Sequence, residues 1–226
     1  TETAPVISAN RPSRIKIKTV GPPCIGVEVK LSDDGEILVR GELTMQGYWN
    51  NPEATSETLR DGWVHTGDIG VLHDDGSLEI TDRKKDIIVL SGGDNVSPQR
   101  VESMLTYEPE VVQAMVYGDR RPHLVALLVP DADFSRSWAG DHGKPMGLAT
   151  LVTEPDFHKA LRQVVERANA KLSNLEQVRR FIIVDEPFTT ENGLMTPSLK
   201  IRRHKIKEIY GDRLEALYAR GLSSPS

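Results

Sequence analysis

The sequence predicts an α+β protein, in which a β-rich, barrel-like first region is followed by a smaller region of mixed helices and strands. Three observations support this prediction. Residues 25–31 alternate apolar and polar side chains, which is the period of a half-buried strand. Asp-Asp-Gly turns at residues 33–35 and 74–76 each separate two strand-like runs, as in a β-hairpin. After Asp82 the pattern alternates between helix-like and strand-like runs, so a second core can form there.

The first region, residues 1–82, is predicted to consist of antiparallel strands interrupted by one helix. "RIKIKTVG" (14–21) alternates in the same way as residues 25–31 and predicts a strand. "NNPEATSETL" (50–59) predicts a short helix because an early proline precedes good helix formers. A second hairpin joins "DIGVLH" to "SLEITD". Such a series of strands is typical of a small barrel or of part of a sandwich.

The second region, residues 83–226, is predicted to contain sheet strands and amphipathic helices. Ser97 is suited to cap a helix that begins at Pro98. Thr153 and Asp156 have the spacing of a capping box. The helix after them shares one apolar face, formed by Phe157, Leu161, Val164, Val165, Ala168 and Leu172. Strands are predicted within "EVVQAMVYGD", "PHLVALLVPD" and "RRFIIVDEPF", and a last helix, "KIKEIYGDRLEALYAR", is expected to break or bend near Gly211.

The composition indicates a soluble globular protein and excludes several classes of function. Of 226 residues, 38% are hydrophobic and 27% are charged, and the net charge of −5 gives no sign of a nucleic-acid partner. A single cysteine, Cys24, cannot form an internal disulfide, which favours a reducing compartment such as the cytoplasm. The run Leu124–Val129 is too short to span a bilayer. The chain opens on Thr1 instead of methionine, which predicts a piece of something longer.

Familiar catalytic motifs are absent from the sequence. "GDHGKPM" has a Gly-Lys pair, but proline follows where a phosphate-binding loop needs Ser or Thr. The six histidines show no HExxH pattern, and no Gly-x-Ser-x-Gly elbow is present. A metalloenzyme or a serine hydrolase is therefore not expected.

Three short segments carry polar residues that suggest chemistry, although each also has a plain structural interpretation. In "GWVHTGDIG", Asp68 is either a turn residue bonded to its own backbone or a carboxylate for ribose hydroxyls, with His65 and Thr66 shaping the approach. In "ENGLMTPSLKIRR", Lys200 is either a surface lysine or a cation delivered by a loop to developing negative charge. The charge run that starts at Asp82 is either a solvated turn or the boundary between the two regions.

Together the segments resemble the C-terminal part of the adenylate-forming superfamily. "TE" at the start, "GWVHTGDIG", "DRKKDIIVLSGGDNVSP" and "LMTPSLKIRR" occur in the order and spacing of that superfamily. "VGPPCIGVEVKL" and "GEILVRGELTMQGYWNNPEAT" are similar to long-chain fatty acyl-CoA synthetases, and the resemblance covers nearly the whole chain. It implies that a fatty acid reacts with ATP, with Mg²⁺ as the cofactor, to give acyl-AMP and pyrophosphate. Coenzyme A then displaces AMP.

The resemblance also implies roles for individual residues in the first region. Thr1 matches a residue beside the AMP phosphate, and Glu2 matches one that helps to hold Mg²⁺. Asp68 matches the residue that binds the ribose hydroxyls, and Arg83 is the basic residue next to it. Asp82 matches the hinge between a large domain and a small mobile one. As a pivot, the charge run is expected to be exposed.

In the second region the resemblance implies two loops that act in turn. Ser91, Gly92 and Gly93 match the loop beside the pantetheine arm of coenzyme A. Lys200 matches the lysine that bridges the incoming carboxylate and the α-phosphate. Asp94 and Arg100 depart from the residues common at their positions.

Two other functions remain open at this point. One is a fatty acyl-AMP ligase, or an adenylation enzyme that loads a carrier protein, and the other is a non-catalytic interaction module that keeps the fold. The Gly/Ser/Thr-rich phosphate loop and the acid pocket are missing, so the piece alone is expected to be inactive, and neither the acid's chain length nor an oligomeric state is predicted. Peripheral membrane contact suits a fatty-acid enzyme, but no basic amphipathic helix supports it.

Overall fold

A computed structural model of the chain describes residues 1–145 and 147–219. They form two compact units, the first from Thr1 to Ile87 and the second starting at Ile88. Each unit has its own buried apolar residues. The predicted α+β class is confirmed. No helix in the described part of the chain has the length and apolar character needed to cross a membrane.

The first unit is built on a curled, half-barrel antiparallel sheet with one short helix, as predicted. Its elements are β1 (Val27–Leu31), β2 (Glu36–Gly41), α1 (Pro52–Thr58), β3 (Leu59–Arg60), β4 (Trp63–Leu72) and β5 (Leu78–Arg83). The strand order is β1-β2-β4-β3, and β5 also pairs with β4. Both predicted hairpins form, and the left-handed glycines of their turns, Gly35 (φ +80°) and Gly76 (φ +79°), allow tight reversals. The sheet buries Ile37, Val39 and Leu78.

The prediction of a strand at residues 14–21 is wrong. Ile15 and Ile17 are exposed, and the segment forms turns instead of a strand. The side chain of Asn10 accepts from the amide of Lys16 (3.2 Å) and donates to the carbonyl of Thr19 (2.6 Å). Lys18 adopts a left-handed conformation (φ +70°), which interrupts any extended backbone. The local hydrogen bonds of Asn10 therefore prevail over the alternating pattern.

The second unit has a three-stranded sheet between two layers of helices. Before the sheet come a 3₁₀ helix at Lys84–Asp86, which still belongs to the first unit, then β6 (Ile88–Val89), β7 (Asn95–Val96) and α2 (Pro98–Thr106). The remaining elements are β8 (Val111–Tyr117), β9 (Leu124–Pro130), α3 (Ala132–Asp141), α4 (Leu148–Leu151), α5 (Pro155–Asn169), β10 (Val178–Ile183) and α6 (Arg203–Ala219). Central β9 runs antiparallel to β8 and parallel to β10.

Every residue of β9 is buried, because the strand has an apolar cluster on each face. Leu124, Ala126 and Leu128 belong to the cluster that includes residues of α2, α3, α4 and α5. Val125, Leu127 and Val129 belong to the cluster that includes α6. The apolar face predicted for α5 is confirmed, since Phe157, Leu161, Val164, Val165, Ala168 and the following Leu172 are all buried.

Two local predictions in the second unit fail, whereas the cap of α2 is confirmed. Ser97 accepts from the amide of Arg100, and Pro98 is the first helical residue. The capping box at Thr153 does not form: Glu154 occupies the N-cap position of α5 without a side-chain cap, and the Thr153 hydroxyl donates to the carbonyl of Thr150 (2.8 Å). The break expected near Gly211 is also absent, because α6 continues through that residue and its buried side chains keep it packed. Arg220, the last residue of the predicted helix, lies outside the described residues.

Candidate active site

A cavity of about 880 Å³ in the first unit brings together four of the predicted site residues. Thr1, Glu2, Asp68 and Arg83 all line it. They come from the start of the chain, from β4 and from the end of β5, so the fold of the sheet is what assembles them. The remaining predicted residues are in other places: Asp82 does not line the cavity, and the two loops belong to the second unit.

Asp68 and Arg83 form an ion pair across the β4–β5 ladder. They are register partners in the two strands, and Arg83 Nε lies 2.7 Å from Asp68 Oδ1. The Asp68 side chain is mostly buried (23% exposed), whereas that of Arg83 is half exposed. A carboxylate fixed in this way keeps acceptor sites for hydroxyl groups that enter the cavity.

The turn before Asp68 is held against β2. Gly67 has a left-handed φ of +70°, which favours glycine there. The Thr66 hydroxyl donates to the carbonyl of Ile37 (2.7 Å) and accepts from the amide of Asp68 (3.1 Å). Thr66 therefore fixes the backbone of Asp68.

Glu36 is an important residue of the cavity wall that the sequence did not reveal. Its carboxylate accepts from the amide of Gly67 (2.9 Å) and from Lys84 Nζ (2.9 Å), and it lies 3.0 Å from Nδ1 of His65. Burial raises the pKa of Glu36, but the hydrogen bonds from His65, Lys84 and Gly67 outweigh it, so the pKa lies below its ordinary value. The only sequence signal is a glutamate at the head of an apolar strand, since its partners are 29 to 48 residues away.

Glu2 faces the same cavity and is held by Tyr48, another lining residue that sequence reasoning missed. Tyr48 donates its hydroxyl to Glu2 Oε1 (2.6 Å). This hydrogen bond is the main reason why the pKa of Glu2 is lowered, so Glu2 presents a carboxylate over a wide pH range. The carbonyl of Glu2 accepts from the amide of Met45 (2.8 Å), which fixes its backbone.

Asp82 is buried, in contrast to the exposure expected of a pivot. It is 5% exposed, pairs with Ile69 as a residue of β5, and accepts from the amide of Arg83 (2.6 Å). The expectation of exposure is wrong for Asp82 because the strand continues to Arg83. It is confirmed for Arg83, Lys84 and Lys85.

In the second unit, Ser91, Gly92 and Gly93 form an exposed turn between β6 and β7. The Ser91 amide donates to the carbonyl of Arg121 (3.0 Å), and the Gly93 amide to that of Leu90 (2.9 Å). Gly93 is left-handed (φ +90°), and the space where its side chain would lie is open. A narrow ligand can therefore approach this backbone closely.

Lys200 is exposed on a tight loop of the second unit. The amide of Thr196 donates to the carbonyl of Lys200 (2.8 Å), and the Thr196 hydroxyl accepts from the amide of Lys200 (3.0 Å). Between them, Leu199 is left-handed (φ +58°), although it is not glycine. At the base of the loop, the backbone amide of Arg202 donates to the carbonyl of buried Leu194 (2.9 Å). The loop thus has a defined shape on a buried foundation.

The helix that follows this loop is joined to α2 by an ion pair. Both terminal nitrogens of Arg203 contact the carboxylate of Glu102, at 2.7 and 2.6 Å. Glu102 also accepts from the amide of Val116 in β8 (2.8 Å). The helix that follows the β6–β7 pair and the helix that follows the Lys200 loop are therefore connected within one unit.

Residues 1–145 and 147–219 contain no site that protein ligands alone could form for a metal ion. No group of three or more His, Cys, Asp and Glu side chains there could hold a metal ion. Glu2 thus offers a single carboxylate, which suits Mg²⁺ because this ion is usually held by one or two carboxylates together with substrate phosphates.

Comparison with known proteins identifies the family of the chain. Residues 85–221 match the family model of the AMP-binding enzyme C-terminal domain. The A domain of carboxylic acid reductase from Segniliparus rugosus, solved with AMP and a co-purified carboxylic acid, superimposes with a TM-score of 0.72 at 29% identity, over 89% of this chain and 32% of that one. O-succinylbenzoate coenzyme A synthetase of Bacillus subtilis, solved with ATP and a magnesium ion, gives a TM-score of 0.60 at 28% identity, over 85% of this chain and 36% of that one.

The chain therefore belongs to the AMP-binding, adenylate-forming enzymes. Within that family it is similar to long-chain fatty acid–CoA ligases. It is 39% identical to the long-chain-fatty-acid–CoA ligase FadD15 of Mycobacterium bovis, over 96% of this chain and 36% of the relative. The chain thus spans about a third of the length of such relatives.

Proposed function

We propose that this chain is the C-terminal part of a longer ligase that joins a fatty acid to coenzyme A at the expense of ATP. The observation that carries the proposal is the cavity that collects Glu2, Asp68 and Arg83. In the first step a carboxylate oxygen bonds to the α-phosphorus of ATP and pyrophosphate leaves, which gives acyl-AMP. In the second step the sulfur of coenzyme A bonds to the acyl carbon, AMP leaves, and the thiol proton passes to solvent. By itself the chain is expected to be inactive.

In the first step Asp68 binds the nucleotide and Lys200 stabilises charge. The Asp68 carboxylate accepts hydrogen bonds from the ribose hydroxyls, with Arg83 beside it, and Thr1 borders the phosphates. Lys200 brings its ammonium group to the carboxylate and the α-phosphate, where negative charge develops. A loop of defined shape suits this task because less orientational freedom is lost when the lysine arrives.

Glu2 is proposed to help hold Mg²⁺. Its lowered pKa and its fixed backbone keep a hard oxygen ligand on the cavity wall. When bound, the ion neutralises phosphate charge during the transfer.

The second step is proposed to use the turn of Ser91, Gly92 and Gly93 beside the pantetheine arm of coenzyme A. The open side of Gly93 supports this role. We divide the chain into the end of a large domain, residues 1–82, and a small mobile domain, residues 83–226. Because β5 holds Asp82 and Arg83 and an ion pair holds Lys84, we place the torsional change of the hinge after Lys84. The cytoplasm, which supplies ATP and coenzyme A, is the proposed location.

Pyrophosphate exchange by the full-length protein tests the reaction and its substrate class. We expect ATP–pyrophosphate exchange that depends on long-chain fatty acids and on Mg²⁺, followed by thioester formation when coenzyme A is added. Exchange without transfer to coenzyme A, but with transfer to a carrier protein, would favour the acyl-AMP ligase or carrier-loading alternative. No exchange with any acid, in a protein that still binds AMP, would favour the non-catalytic module.

A further inference from the structure

Glu36 is a buried carboxylate in the wall of the cavity, and two other chain segments meet on it. Its side chain is 5% exposed. The turn before Asp68 contributes the amide of Gly67 and Nδ1 of His65, and the segment after β5 contributes Lys84 Nζ. Lys84 Nζ also contacts Asp34 in the β1–β2 turn, at 2.6 Å.

Such a cluster is a poor way to gain stability. Removing the Glu36 carboxylate from water costs several kcal/mol, and Lys84, whose side chain is still 45% exposed, offsets only part of that cost. The next three residues of β2, Ile37, Leu38 and Val39, are apolar and buried, so the sheet itself has no need for a charge at this position. A buried ionic group is best explained by the particular conformation that it selects.

The conformation selected here is that of the Asp68–Arg83 pair. On one side, Glu36 fixes the left-handed Gly67, and Asp68 is the next residue. On the other side, Glu36 binds Lys84, which directly follows Arg83. One carboxylate therefore bonds to the backbone amide next to Asp68 and to the side chain of the residue next to Arg83.

We propose that Glu36 and Lys84 are positioning residues for nucleotide binding, and that they act by holding the backbones that present Asp68 and Arg83. This inference rests on the proposed function, in which Asp68 binds the ribose. Neither residue needs to touch the nucleotide, because the effect of each passes through the pair.

The test measures the affinity of the full-length protein for AMP by calorimetry. Glu36→Gln keeps the shape of the side chain but loses its charge, and we expect AMP to bind about tenfold more weakly, the range for a hydrogen bond to a charged group. Lys84→Met is expected to weaken binding by a smaller factor, and Lys84→Arg to restore most of it. Glu28→Gln is the matched control, because Glu28 forms an exposed ion pair with Arg40 and does not line the cavity.

Combining Glu36→Gln with Asp68→Ala separates positioning from general damage. If Glu36 acts through Asp68, the double variant binds AMP no more weakly than Asp68→Ala alone. Additive losses would overturn the inference, and so would unchanged affinity in folded Glu36→Gln. If Glu36→Gln does not fold, the Lys84 variants in the same Asp68→Ala background decide the matter. An Asp68→Ala variant that binds AMP normally would instead reject the ribose site, and the inference with it.

Discussion

The cavity wall of the first unit and the Lys200 loop of the second are held in shape by different kinds of interaction. In the cavity wall, ion pairs between side chains hold the shape: Asp68 pairs with Arg83, and Lys84 pairs with Asp34 and Glu36. In the Lys200 loop, backbone groups and the hydroxyl of Thr196 make the hydrogen bonds. A binding wall built from ion pairs should therefore loosen in acid, whereas a loop built from neutral hydrogen bonds should keep its shape.

The largest effect is expected from Lys200→Ala in the full-length protein. Acyl-AMP formation should slow by roughly 10²–10³-fold, the scale seen when one charge-stabilising donor is removed. Folding stability should stay within about 0.5 kcal/mol, because Lys200 is exposed and its loop is closed by backbone atoms. Supplied acyl-AMP should still react with coenzyme A at a near-normal rate. Equal loss in both half-reactions, measured separately, would contradict a lysine that acts only in the first.

Asp68→Ala should have the next largest effect. ATP binding is expected to weaken by about 1.5–3 kcal/mol, the cost of losing a hydrogen bond to a charged group, and both half-reactions should suffer. Calorimetric titration of the full-length protein with ATP measures this change. A folded variant with unchanged affinity would mean that Asp68 is an ordinary turn residue.

A fall in pH should affect the cavity wall and the Lys200 loop differently. The pKa of Asp34 lies at about 2, below its ordinary 3.8, chiefly because Lys84 and then Ser32 bond to it, and the pKa of Glu36 is lowered as well. A carboxyl group with a lowered folded pKa stabilises the fold above its ordinary pKa and stops doing so as the pH falls. The cavity wall should therefore loosen between pH 3.8 and about 2.

Amide exchange, corrected for the intrinsic effect of pH, checks this expectation residue by residue. Gly67, whose amide donates to Glu36, should lose protection at a pH below 4.5, the ordinary pKa of a glutamate. Leu199 and Lys200, whose amides donate to the carbonyl and hydroxyl of Thr196, should keep theirs. Parallel loss at both places would remove the distinction between the two regions.

Thr196→Val should loosen the loop without touching the cavity. Valine has nearly the same shape but cannot accept from the amide of Lys200, so we expect a loss of about 1 kcal/mol in local stability. Acyl-AMP formation should slow several-fold, with AMP affinity unchanged. Thr196→Ser retains the hydroxyl and serves as the control; a serine variant as slow as the valine variant would show that the hydrogen bond is not the cause.

The smallest effect is expected from Leu199→Gly. A non-glycine residue in the left-handed region costs roughly 1–2 kcal/mol, part of which glycine loses again through its freedom in the unfolded chain. Thermal unfolding should therefore show a gain of no more than about 1 kcal/mol. Leu199→Ala keeps the unfavourable conformation and should show no such gain, so equal stability of the two variants would argue against strain at this position.

Local signals in the sequence predicted much of the fold. Glycine turns predicted both hairpins, and Ser97 with Pro98 predicted the start of α2, because the residues that make these contacts are neighbours in the chain. The same reasoning failed where a local pattern had a competitor. Asn10 holds residues 14–21 in turns despite their alternation, and Thr153 bonds backwards to Thr150 instead of capping α5.

In the candidate site, too, residues in recognisable motifs were predicted, and residues whose contacts are distant in the sequence were missed. Asp68, Arg83 and Glu2 were predicted from motifs, and all three line one cavity. Glu36 was missed because nothing near it in the sequence indicates that His65 and Lys84 converge on it. The burial of Asp82 was missed because a charge run looks equally exposed throughout, whereas the strand ends only at Arg83.

The complete burial of β9 has a consequence for how the second unit survives in a cell. Its alternate residues belong to two apolar clusters, so neither helix layer can detach without exposing one whole face of the strand to water. Partial opening that leaves the sheet intact therefore costs a large free energy, and the unit should unfold in one cooperative step. A protease that needs an extended stretch of chain would then act on the described helices and strands of this unit at a rate set by global unfolding, whereas its loops would stay open to cleavage in the folded state.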